Sequence, residues 1–141
     1  MASMDDPAEF DDLLRHVTAD TSGFGHREHV QLTWLAVRRF GLADAIDLVC
    51  SGIRRTARYA GAPQKYHATM SRAWIELVGH HASEEGDPDF TTFLDRNPAL
   101  LDKRLLLRFY SPGTLSGAEA RTGWVLPDRA RFPWVAQQGG V

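Results

Sequence analysis

Cysteine is nearly absent from this chain of 141 residues: Cys50 stands alone, which excludes an intrachain disulfide and a cysteine-rich zinc site. It falls among Leu48, Val49 and Ile53, the setting of a buried, unreactive thiol. Lysine is almost as scarce, present only as Lys65 and Lys103. Arginine is frequent, and with abundant alanine and glycine this points to a GC-rich bacterial gene. No apolar run approaches the roughly 18 residues that a membrane helix needs. The acidic start, Met-Ala-Ser-Met-Asp-Asp-Pro, lacks the basic and apolar regions of a signal peptide. A cytoplasmic protein without a membrane partner is therefore expected. A net charge of −2 supplies no basic field, so nucleic acid is not an expected partner. Internal repeats, low-complexity tracts and sustained period-two alternation are missing as well, which removes the usual signatures of a sheet.

What remains is helical patterning on a composition suited to one globular domain over residues 1–141, long enough to bury a real core. Residues 1–5 read as disordered. Asp6-Pro7 then has the form of an N-cap with proline at the first helical position, followed by the stripe Phe10, Leu13, Leu14, Val17. A glycine-rich polar loop leads to a second helix from about His26 to Phe40, with Val30, Trp34 and Val37 in one row and Leu35 widening it. Gly41 stops it, and a third helix opens at Leu42. Its core face is Leu42, Ala45, Ile46, Val49, Ile53 and Ala57, while Arg54, Arg55 and Arg58 read as a solvated side. So short a connection favours an antiparallel pair.

Gly61-Ala-Pro63 breaks the chain. A fourth helix is expected from near Tyr66, carrying Met70, Trp74, Leu77 and Val78 inward. A short helix holds Phe90, Phe93 and Leu94 and ends at Asn97-Pro98. Leu101 to Tyr110 reads as another, and Ser116 with Glu119 has the capping-box pattern of a last helix ending around Trp124. Residues 126–141 contain three further breakers, Pro127, Pro133 and Gly139-Gly140, and read as an irregular arm. The expected fold is an all-α, single-domain bundle of about four main helices with short additional helices.

Chemistry concentrates at two helix starts, Phe24-Gly-His-Arg-Glu-His-Val30 and Lys65-Tyr-His-Ala-Thr69. Unpaired N–H groups and the positive dipole end favour a neutral imidazole there, which can act as base, acceptor or metal ligand. If the two helices are neighbours, His26, His29, Tyr66 and His67 converge on one pocket. His26 and His29, three residues apart on one face, can chelate a divalent metal with His67 or Glu28 as a further ligand. The spacing differs from the H-E-x-x-H of zinc proteases. On a helix, His67 shares a side with Ser71 and Trp74, and Thr69 either caps the same helix start or lines the same wall. Ser111, His67 and Asp128 form a triad only on paper, without a nucleophile elbow. Arg121, near Trp124, is a partner for a buried carboxylate such as Glu28.

His29 after its Phe-x-His start, Tyr66-His-x-Thr69 with Trp74, Asn97-Pro98 with Leu100-Leu101-Asp102, Tyr110-Ser111, and Ala120-Arg121 with Pro127-Asp128 resemble a group of small bacterial hypothetical proteins. Their layout is HxxH…YHxTxT…NPxLLD…YYS…AR, matched over about residues 24–128. The resemblance implies that His29, Tyr66, His67, Thr69, Tyr110, Ser111 and Arg121 belong to one site. Ser71 replaces the second threonine of that layout and Phe109 its first tyrosine. Neighbouring specialised-metabolite genes in some relatives imply tailoring chemistry.

The leading expectation is a small cofactor-free enzyme acting on a small molecule, with His29 and His67 as acid–base groups and Tyr66 as proton donor or orienter. Thr69, Ser71, Trp74, Tyr110, Ser111 and Arg121 would bind substrate. Positioned acid–base groups typically contribute about 10²–10⁴-fold, enough for a cyclisation, elimination or isomerisation. A divalent-metal enzyme using His26, His29 and His67 is one alternative. A non-catalytic protein binding a ligand or partner is another, and the aromatic C-terminal arm is suited to a lid or a homodimer contact.

Overall fold

A computed structural model describes residues 7–19 and 23–134, the side chains of residues 84 and 85 excepted. The expected disordered start, the Asp6 cap and the end of the C-terminal arm lie outside the described residues. No strand forms among those described, and the fold is an all-α bundle.

Four helices make the body: α1 (Pro7–Thr18), α2 (His26–Phe40), α3 (Leu42–Tyr59) and α4 (Ala68–Glu85). α2 packs on both α3 and α4, α3 also packs on α4, and α1 lies against α2 and α3. Gly41 makes the tight α2–α3 connection possible: its φ of 89° lies in the region that favours glycine. Leu13, Val30, Leu32, Leu48, Val49, Ile75 and Val78 are fully buried where these helices meet. Of the expected α3 face, Ala45 and Val49 are buried, while Leu42, Ile46 and Ile53 pack at its edge.

α4 begins later than its sequence implies. Pro63–Lys65 form a 3₁₀ turn, Tyr66 and His67 are extended, and His67 (φ −120°, ψ 110°) is the N-cap. The helical face proposed for His67, Ser71 and Trp74 therefore does not start at His67. Trp74, Leu77 and Val78 point inward as expected, but Met70, on the first turn, is exposed.

α5 (Phe90–Arg96) opens on Asp89, whose carboxylate accepts from the Thr92 N–H at 2.8 Å. Its Phe90 and Phe93 rings lie 5.7 and 6.2 Å from Trp34. The stretch expected as one helix from Leu101 to Tyr110 is instead two 3₁₀ segments, Pro98–Leu101 and Lys103–Arg108. Asp102 separates them because its side chain takes the Arg104 N–H at 2.9 Å, the local competition that disfavours aspartate inside helices. The expected capping box at Ser116 is also absent. Ser111 caps α6 (Pro112–Ser116), while α7 (Ala118–Thr122) follows Gly117 without a side-chain cap. The C-terminal arm does more than cover the surface: Phe132 is buried, with its ring 4.9 Å from Phe109.

One close approach sets the α1–α3 geometry. A Cβ on Gly52 would sit 2.0 Å from Cδ1 of the buried Phe10 ring. Helix propensity alone makes Gly52→Ala stabilising by about 1 kcal/mol; overpacking of this kind typically costs about 1–3 kcal/mol. We expect a net loss of stability in urea denaturation with helix content retained. A gain would show that α1 and α3 are not in this contact.

Candidate functional site

The start of α2 builds the first part of the site. Glu28 reaches back so that its carboxylate accepts from the Gly25 N–H at 2.8 Å, which orients the turn carrying His26 and His29. His26 lies 2.8 Å through Nε2 from the Leu100 carbonyl. A carbonyl can only accept, so Nε2 carries the proton. The His26 ring also stands edge-on to Trp74, with centroids 4.4 Å apart. His29 is half-buried as a residue, but its Nε2 is enclosed and has no hydrogen-bond partner. Burial, with a smaller push from His26, lowers its pKa to about 4, so the ring is neutral at physiological pH. Phe24, Gly25, His26, His29, Met70, Trp74 and Lys103 line a hollow of about 410 Å³ here.

His67 does something else. Its Nδ1 accepts from the Met70 N–H at 3.0 Å, so Nε2 carries the proton and donates to the Leu115 carbonyl at 2.7 Å. Both ring nitrogens are committed to the fold, which leaves neither for a substrate or a metal. The three-histidine metal set does not fit this arrangement. Among the described residues, no three His, Cys, Asp or Glu side chains gather in a metal-holding group.

Thr69 and Tyr110 likewise bond to the backbone of the segment after α7. The Thr69 hydroxyl donates to the Gly123 carbonyl at 2.6 Å and accepts from the Val125 N–H at 3.1 Å. The Tyr110 hydroxyl donates to the Val125 carbonyl at 2.7 Å. Both residues are fully buried. Ser111 donates through its hydroxyl and N–H to Asp128, at 2.7 and 2.9 Å. The paper triad is therefore not assembled, since His67 is bonded elsewhere. Ser71 is half-buried, and its N–H donates to the His67 carbonyl.

Tyr66 and Arg121 meet at a different place. Tyr66 and Cys50 share a hydrogen bond, and burial raises the phenol to about 12 and the thiol to about 11. Both hold their protons at physiological pH, which fits an unreactive thiol. Arg121 donates to the Gln64 carbonyl at 2.7 Å, while Glu28 is occupied at Gly25, so the pairing between them is not formed. Tyr66 and Arg121 line a second cavity with Arg54 and Arg58.

The residues implied to share one site are thus distributed over three places: the His29 hollow, the arginine cavity, and the bonds holding residues 110–128 to α4. Sequence reasoning missed Lys103 in the hollow and the Cys50–Tyr66 pair, because neither carries a local spacing signal. No known protein family matches the chain, and no curated protein or solved structure is significantly similar to it.

His29 gives stability a defined pH dependence. With the folded pKa near 4 and the unfolded value about 6.5, the unfolded chain binds the extra proton between these limits. Stability attributable to this group is present above pH 6.5 and lost as pH falls toward 4, by up to about 3 kcal/mol. His29→Phe should flatten the slope of unfolding free energy over that window; an unchanged slope would show that the His29 ring is not enclosed as described.

Proposed function

We propose that this protein acts on a small organic molecule held in the hollow between the start of α2 and α4, with His29 as the group that bonds to it. The supporting observation is the buried, unpartnered Nε2 of His29. An unsatisfied buried nitrogen costs about 1–3 kcal/mol, and a ligand donor would remove that cost. Phe24, edge-on to His29 at 6.2 Å and 41% exposed, is the wall that gives way to admit it. Trp74 and Met70 supply apolar surface, and Lys103 supplies a positive charge for an acidic group.

These features favour a small aromatic or unsaturated acid bearing a hydroxyl or amino donor. His29, neutral at working pH, accepts that donor's proton or hydrogen bond. Acid–base assistance of a cyclisation, elimination or isomerisation then falls on His29, with His67 in a positioning role through the α4 start. A second reading, non-catalytic binding at the same hollow, is favoured by the low basicity of His29, since a base works best with a pKa near the operating pH.

The reading predicts that 4-hydroxybenzoate, which carries a donor, a ring and a carboxylate, raises the melting temperature by several degrees at saturation. The shift should be lost in His29→Phe and reduced in Lys103→Met. An equal shift in His29→Phe and the parent protein would contradict it.

A further inference from the structure

Arg54, Arg55 and Arg58 lie on α3, and their sequence pattern reads as a solvated face. The structure divides them. Arg55 turns toward Phe10, its guanidinium 5.8 Å from the ring centroid. Arg54 and Arg58, one turn apart on a common side, instead line a cavity of about 490 Å³ with Arg121, Gln64, Tyr66 and Ala68. Three arginines from two helices thus border one concavity. None of the three has an ion-pair partner among the described residues.

Three like charges around a recess repel one another unless an anion joins them. Arg121 is held in place by its bond to the Gln64 carbonyl, which reduces the conformational freedom it would lose on binding. Ala68, the first residue of the 18-residue α4, adds the positive end of a long helix. Tyr66, its hydroxyl engaged with Cys50, forms a wall and keeps its proton.

We infer that this cavity binds the phosphate or diphosphate group of a small molecule through Arg54, Arg58 and Arg121, at a site separate from the His29 hollow. A phosphate offers three oxygens and more than one negative charge to planar, bidentate donors, a better match to three arginines than a single carboxylate. The volume is that of a small-molecule site, and the chain's net charge of −2 gives no extended field for a polyanion such as DNA.

The experiment is calorimetric titration of the full chain with sodium pyrophosphate and, separately, with a short DNA duplex, at low ionic strength. Pyrophosphate should bind at one site, with affinity at least tenfold weaker in Arg54→Ala/Arg58→Ala and in Arg121→Ala, and unchanged in Arg104→Ala, whose guanidinium pairs with Asp102. As a check independent of folding in the variants, pyrophosphate added to the ¹⁵N-labelled parent protein should shift the Ala68 and Thr122 amides and the Arg54, Arg58 and Arg121 side-chain resonances. Absence of pyrophosphate binding, binding undiminished in both arginine variants, or binding of DNA alone would overturn the proposal. Because His29 takes no part, His29→Phe should leave pyrophosphate binding intact, and the two sites fail or stand separately.

Discussion

The start of α4 is tied down from two directions by one imidazole. His67 caps the helix through Nδ1 and, through Nε2, grips the Leu115 carbonyl forty-eight residues further along. Two residues on, the Thr69 hydroxyl bonds both Gly123 and Val125, and Tyr110 completes the hold on Val125 from within the core. The segment after α5 is built of short helical turns of four to six residues, whose many end groups need partners outside the turn. These bonds, together with the packing of α7 on α4, fix the irregular stretch after α7 in place.

Both cavities depend on that junction. On one side, the first turns of α4 carry Met70 and Trp74 into the hollow around His29. On the other, Tyr66 and Ala68 border the arginine cavity, to which α7 delivers Arg121. The two histidine-bearing helix starts thus divide the work: one imidazole is consumed in holding the fold, while the other is left neutral and unpaired at a cavity. A dry, unpaired ring costs stability, and such costs are concentrated at functional sites in many proteins.

The architecture was legible where periodicity was long. The bounds of α2 follow directly from Gly25, Gly41 and the Val30–Trp34–Val37 row, and α3 follows from its apolar face. Legibility fails where short polar side chains compete with the helix, as Asp102 does in dividing Leu101–Tyr110 and Ser111 does in capping α6. The site was half legible. The sequence marks His29 as a neutral imidazole on the strength of the helix dipole, whereas burial and the neighbouring His26 are what lower its pKa; Trp74 does face the same hollow. Sequence reasoning misplaces His67, because a histidine at an N-cap position looks the same in sequence whether its ring caps the backbone or faces a substrate. The arginine cavity was invisible for another reason: Arg54, Arg58 and Arg121 are brought together only by packing across some sixty residues of chain.

The division of labour between the two imidazoles is tested most directly by ring-nitrogen NMR of histidine-¹⁵N-labelled protein near neutral pH. His67 should show a single tautomer with the proton on Nε2 and a hydrogen-bonded, bare Nδ1. His29 should be neutral and remain so until the pH approaches 4. Rapid tautomer exchange at His67, together with a His29 that protonates near 6.5, would contradict the account.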